Sequence, residues 1–191
     1  RKEQARHTVA TWIPKLTDGP AALTVRINGG LRQAVPDIEA IVQPGLAAIM
    51  VPKCNAPEKL ILLAQILDEL ETERHLPAQC IGLIAMVETP QALPLAHDIA
   101  RAHPRVCALV LGSEDFATNC VITPSAASLQ FAKQHIVFAA RAAGIAPLGL
   151  LDTVAHYSDG NITQLAQRSK EFGFSGATAV HPDTVSAVNE G

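Results

Sequence analysis

Apolar residues along the chain fall into two alternating rhythms. Short, nearly continuous apolar runs at 23–28 (LTVRIN), 47–53 (AAIMVPK), 81–89 (IGLIAMVET), 106–115 (VCALVLGSED), 147–154 (PLGLLDTV) and 176–182 (GATAVHP) predict six strands. Runs without in-out alternation suit parallel strands covered on both faces. Between them, 56–75, 90–103, 125–144 and 159–173 carry helical spacing. Leu60, Leu63, Ala64, Leu67 and Leu70 form one stripe at three-and-four intervals, and Gly144 and Gly173 stand where a glycine just past the last turn stops a helix. The segment 36–45 predicts a shorter connection, and the opening RKEQARHTVATWIPKL a further helix with no strand before it.

Repeated strand-helix units build either an open doubly wound sheet or a closed (β/α)₈ TIM barrel. No GxGxxG or GxxxxGK[ST] follows any of the strands, so the usual nucleotide signatures of the open sheet are missing. Polar residues recur where the strands end: Arg26 and Asn28, Lys53, Glu88, Asp115, Asp152 and His181. Barrel enzymes place their chemistry at that rim. Six units do not close an eight-stranded barrel: either the sheet is open, or the one α/β barrel domain over 1–191 begins after the first strands of a longer protein, which the leading helix with no strand before it favours.

Composition narrows the function classes. With 48% hydrophobic residues, 15 Lys+Arg against 18 Asp+Glu and a net charge of -3, the 191 residues read as a soluble globular domain able to bury a core. There is no basic cluster for nucleic acid or an anionic membrane, and 4% aromatics leave few stacking platforms. No apolar run is long enough to span a bilayer and the polar start is not a secretory signal, so a cytoplasmic location is expected. Cys54, Cys80, Cys107 and Cys120 form no CxxC pair and no metal-ligand spacing with His, which predicts reduced, mostly buried thiols.

Glu88 and Asp115 end consecutive strands and would sit side by side at a barrel mouth. Adjacent carboxylates repel unless a cation lies between them, and hard oxygen ligands in that number suit Mg²⁺, which takes one or two carboxylates and completes its shell with water and substrate. The competing reading of Glu88 is an acid complementing the dipole of the helix after Pro90. Asp115 could equally be a loop or cap residue, and Glu114 competes with it. Arg26 suits a carboxylate or an enolate oxygen, or else a buried ion pair with another rim acid. Lys53 reads as a Schiff-base lysine or as a snorkelling one, and His181 as a base or a strand cap.

Taken in order, VRIN (25–28), IMVPK (49–53), VETPQAL (87–93), LGSEDFA (111–117), ARAAGIAPLGLLD (140–152) and GFSGATAVHP (173–182), with VN at 188–189, resemble the citrate lyase beta-subunit family within the HpcH/HpaI aldolase superfamily. The resemblance implies a Mg²⁺-dependent (β/α)₈ barrel lyase, seen here without its first two strands and its C-terminal segment, that cleaves a carbon–carbon bond in a 3-hydroxy acyl thioester on coenzyme A or an acyl carrier protein. The products would be an acetyl thioester and a 2-oxo acid. It implies Glu88 and Asp115 as metal ligands, Arg26 as the substrate-binding arginine, Glu88 also beside the substrate, and a homo-oligomer, a trimer or a multiple of it. The sequence departs from the family pattern at Gly176-Ala177, where relatives usually read GK, and at Thr184, where a Gln commonly stands. No general base is evident.

Overall fold

Parallel strands form where both faces of an apolar run find cover, and the chain supplies two different covers. The structure, a computed structural model, describes residues 1–17, 19, 21–153, 162–179 and 181–191. Five strands, β1 (Leu23–Arg26), β2 (Leu46–Val51), β3 (Gly82–Val87), β4 (Val106–Leu111) and β5 (Ala146–Leu148), lie in the order β1-β2-β3-β4-β5, every neighbouring pair parallel. The order never reverses. A doubly wound sheet reverses at a switch point, whereas a barrel wall runs in one direction, so the fold is α/β of the TIM-barrel type.

On one face of the sheet Ile49, Val51, Leu83, Ala85, Val87, Leu109 and Leu111 pack into a large core with the helices. Those helices are α1 (Lys2–Leu16), α2 (Leu31–Ile41), α3 (Pro57–Glu73), α4 (Ala96–Ala100), α5 (Ser113–Cys120) and α6 (Ala126–Ala143), followed by α7 (Ile162–Glu171) and α8 (Val185–Glu190). The expected stripe of α3 is buried, Leu60, Leu63, Ala64 and Leu67 at 0% exposure. On the other face Ala48, Ile84, Met86, Ala108 and Val110 form a smaller cluster, flanked by Met50, Ala146 and Leu148. Small and medium side chains at these positions leave room in the concave interior. Arg26 is in register with Met50 and so shares this inner face.

Local signals explain most boundaries. Ser125 caps α6 reciprocally with Ser128, and Gly144 ends that helix in the left-handed conformation, φ 73. The helix expected over 90–103 is shorter: Leu93–Leu95, with Pro94 inside, is a 3₁₀ turn leading into α4. The connection expected at 36–45 is a full helix, α2, beginning at Leu31. The fourth strand stops at Leu111 rather than at 115, because Gly112 starts a helix there. The sixth expected strand is reduced, among the described residues, to a single bridge between Gly176 and Leu148. Val180 of that run, Val154 at the end of the fifth, and 159–161 of the last expected helix lie outside the described residues. No helix among the described residues is long and apolar enough to cross a membrane.

The thiol expectation is corrected in part. All four cysteines are free, but only Cys54 is buried; Cys80 and Cys107 are exposed. Both lie near the starts of strands, outside the apolar layers. Cys80 donates to Glu71, and Cys107 lies beside Gly82, where a Cβ would come within 2.9 Å of its Sγ.

One buried charge cluster ties α3 to the sheet at the end opposite the rim. Arg105, just before β4, donates to both carboxylate oxygens of Glu71 at 2.7 and 2.5 Å, to Asp68 at 2.5 Å and to the Ile81 carbonyl at 3.0 Å. Glu71 also accepts from the backbone N–H of Gln79 and Ile81. Burial works to raise the Glu71 carboxyl, but the bonds from Arg105, Gln79 and Ile81 outweigh it and hold the group below its ordinary value. A depressed carboxyl contributes stability that is present above the unfolded value and is lost as pH falls through the folded one. Stability measured by urea unfolding should therefore drop as pH falls below about 4.5, the ordinary value. At neutral pH Arg105→Met should cost about 3–5 kcal/mol, because Glu71 is left buried without its cation. An unchanged unfolding midpoint would contradict this role.

Candidate active site

Glu88 follows the last residue of β3 and is 2% exposed. A carboxylate that deep needs donors, and it finds one in the backbone N–H of Lys53, which bonds Oε2 at 2.5 Å. Room for it comes from Gly112: a Cβ there would stand 2.4 Å from Glu88 Cγ and 2.8 Å from Oε1. The helix-dipole reading of Glu88 has a different occupant, since it is the Thr89 hydroxyl that accepts the Ala92 N–H of the following turn.

Asp115 lies in the first turn of α5, not at a strand end, and is exposed. The short reach from β4 through Gly112 into α5 carries it to the rim all the same. Asn119, one turn further along α5, donates to the carbonyls of both Glu88, 3.2 Å, and Asp115, 2.8 Å, fastening the start of this helix to the end of β3.

Arg26, Glu88 and Asp115 line one cavity of about 350 Å³, whose apolar side is made by Met50, Met86, Val110 and Leu148. Arg26 is exposed, not the buried ion-pair partner that its position in an apolar run allowed. Glu114 lines the same cavity and is engaged by the hydroxyl of the buried Thr153. Other rim residues stand apart. The Lys53 side chain is exposed and outside the cavity lining; what Lys53 brings to the site is its backbone N–H. His181 is exposed and caps the turn Pro182–Thr184, its Nδ1 accepting from the Asp183 N–H at 3.3 Å. Thr184 donates to the His181 carbonyl at 2.7 Å, and Ala177 packs at the Leu150–Ala166 cluster. Asp152 accepts from the Thr153 N–H.

Sequence reasoning missed Lys133. It sits on the buried face of α6 among Leu129, Ala132, Ile136 and Val137, is 2% exposed, and lines the cavity. Its ammonium donates to the carbonyls of Leu150, 2.6 Å, and Asp152, 2.7 Å, holding the chain beyond β5. Burial pushes it down to about 8, against the pull of the Asp152 and Glu114 carboxylates. The signal was available: a lysine inside the apolar stripe of a helix.

The carboxylates fit one class of ion. Among the described residues no group of three or more His, Cys, Asp or Glu is placed to hold a metal. Two carboxylates, one held by a backbone N–H in a cradle that a Cβ would fill, match Mg²⁺, which draws most of its ligands from water and substrate oxygens.

The chain matches the family model described as HpcH/HpaI aldolase/citrate lyase over residues 1–182. It is 29% identical over 192 residues to the citrate lyase subunit beta of Leuconostoc mesenteroides subsp. cremoris, covering 99% of this chain and 63% of that protein. It is 28% identical over 193 residues to a (3S)-malyl-CoA thioesterase of Cereibacter sphaeroides, covering 98% of this chain and 62% of the relative. The chain thus spans less than two thirds of the length of these relatives. In fold it is similar to the citrate lyase beta subunit of M. tuberculosis complexed with oxaloacetate and magnesium. That similarity has a TM-score of 0.71 at 23% identity, covering 93% of this chain and 77% of that one.

Two measurements check this geometry. Gly112→Ala should cost about 1–3 kcal/mol by overpacking. Most of that cost should disappear in a Glu88→Ala background, because the clash is with that side chain; additive costs in the double-mutant cycle would contradict the packing described. Lys133 binds fewer protons folded than unfolded between about pH 8 and its ordinary 10.5, so its burial penalty fades as pH rises through that window. The stability of wild type relative to Lys133→Met should accordingly rise from pH 7 to pH 9.5, and a constant difference would show that Lys133 is not held this way.

Proposed function

The chain belongs to the HpcH/HpaI aldolase/citrate lyase family, and on that premise we propose that it is a Mg²⁺-dependent lyase acting on a 3-hydroxy acyl thioester. The substrate is of the citryl-, citramalyl- or malyl-type, carried on coenzyme A or an acyl carrier protein. The products are an acetyl thioester and a 2-oxo acid. The observation that carries the reading is the convergence of Arg26, Glu88 and Asp115, from β1, the end of β3 and the start of α5, on one cavity at the C-terminal ends of the strands.

In the reaction the hydroxyl proton is lost, its oxygen becomes the 2-oxo carbonyl of the released acid, and the carbon–carbon bond breaks. The electron pair passes to the acyl thioester as an enolate, which takes up a proton. Glu88 and Asp115 would hold Mg²⁺, which when bound supplies Lewis-acid polarisation and a template for substrate oxygens. Arg26 presents an exposed guanidinium on the inner face and meets the charge that develops on the thioester oxygen. Met50, Met86, Val110 and Leu148 shield that charge from water. The Lys53 N–H keeps Glu88 oriented while the reaction proceeds.

A second reading keeps the substrate class and changes the bond: the likeness to a malyl-CoA thioesterase favours hydrolysis of the thioester itself. Metal-dependent cleavage of free hydroxy-oxo acids, and 2-oxo acid binding without turnover, are told apart by incubating the protein with free hydroxy-oxo acids and by measuring 2-oxo acid binding alongside the assay that follows. The purified protein, incubated with citryl-, citramalyl- and malyl-CoA, should release acetyl-CoA with oxaloacetate, pyruvate or glyoxylate from at least one of them in Mg²⁺, and lose this activity on chelation. Glu88→Gln and Asp115→Asn should each lower kcat/KM by about 100-fold or more, and Arg26→Met by about 10²–10³. Free coenzyme A without acetyl-CoA selects the hydrolytic reading. No turnover of the three esters, or turnover indifferent to chelator, refutes the lyase.

A further inference from the structure

Lys59 lies in the first turn of α3 and is half-buried. Its ammonium donates to three main-chain carbonyls: Pro52 at 2.6 Å, Gly29 at 2.9 Å and Lys53 at 3.3 Å. An ammonium has three N–H groups and accepts nothing, so every one of them is directed at the strand ends that frame the site. Gly29 belongs to the turn after β1, the strand of Arg26; Pro52 and Lys53 follow β2.

The segment it holds is bent in an unusual way. Lys53 has φ 53, in the left-handed region that a side chain disfavours. That bend aims the Lys53 N–H at Glu88 Oε2, 2.5 Å away, and the next N–H, of Cys54, at the Met86 carbonyl, 3.0 Å. The ends of β1, β2 and β3 are thereby joined through one ammonium and two backbone donors. Without the ammonium, the three carbonyl oxygens lose the donor they share, and the left-handed bend is left to the two backbone bonds alone.

We infer that Lys59 is a positioning residue, which acts through the left-handed backbone of Lys53 to present the Glu88 carboxylate at the mouth of the cavity. Lys59 itself does not line that cavity. The inference rests on the proposed role of Glu88 as a cation ligand, and its test separates the two. Lys59→Met keeps the length and apolar stem and removes the donors; Lys59→Arg keeps donors.

The test has two readouts on ¹⁵N-labelled protein: hydrogen exchange of the Lys53 amide, and Mn²⁺ affinity by electron paramagnetic resonance. In Lys59→Met the Lys53 amide should exchange at least ten-fold faster than in wild type, and the Mn²⁺ dissociation constant should rise at least ten-fold. In Lys59→Arg both should stay within about three-fold of wild type. If Lys59→Met does not fold, Lys59→Leu takes its place, with the same expectation. Wild-type Lys53 exchange in either donor-deficient variant overturns the inference, as does an equal loss of affinity in Lys59→Arg and Lys59→Met. A wild-type protein that binds no Mn²⁺ removes the cation reading of Glu88, and the Lys53 amide alone then decides the role of Lys59.

Discussion

A carboxylate buried at the end of a parallel strand is the constraint around which this structure is arranged. Glu88 is 2% exposed, and its environment is specific at three points. The Lys53 N–H donates to it, Gly112 makes way for it, and Asn119 fixes the backbone from which it projects. None of these partners is an opposite charge in contact with it. A buried carboxylate whose bonded donor is a backbone N–H, with no lysine or arginine hydrogen-bonded to it among the described residues, keeps an oxygen available to a cation, as a metal ligand must. The left-handed turn at Lys53 and the absent side chain at position 112 are local compromises whose common beneficiary is this one group.

The winding of the sheet explains why those partners are within reach. Because the strands run parallel in chain order, each strand end is beside the ends of the strands before and after it. The loop after β2 meets the end of β3, and the start of α5 after β4 meets it from the other side. The outer face takes the large apolar residues and the helices, leaving the inner face mostly to alanines, methionines and single aliphatic residues, with Arg26 in register with Met50. The same division separates functions. The Arg105–Glu71–Asp68 cluster pairs its charges with one another at the far end of the sheet, while Arg26, Glu88 and Asp115 at the rim line the cavity.

Much of this was legible in the sequence, for identifiable reasons. The runs 46–51, 82–87 and 106–111 are apolar on both faces because both faces are covered, and the α3 stripe is regular because one side packs on the sheet. Arg26, Glu88 and Asp115 stood out as charges interrupting or ending such runs, and the structure brings all three to one cavity. The errors at strand ends share a cause, that apolar content does not mark where a strand ends. The run to Asp115 hid a change from strand to helix at Gly112, and the run 176–182 yields only a bridge among the described residues. The contributions of Lys53, Lys59 and Asn119 were not visible, because they act through backbone groups or on backbone groups, whose directions follow from φ and ψ rather than from residue type. Lys133 was visible in principle, as a charge in the buried stripe of α6.

The family relationship and the cavity meet in one claim, that Glu88 and Asp115 together hold a divalent cation at the mouth of the inner face. Anomalous diffraction from crystals of the protein soaked in MnCl₂ tests it most directly. The account predicts one Mn²⁺ peak within coordination distance of both carboxylates, and its disappearance in Glu88→Gln. A peak held by other side chains, or none beside Glu88 and Asp115 at saturating Mn²⁺, would contradict it.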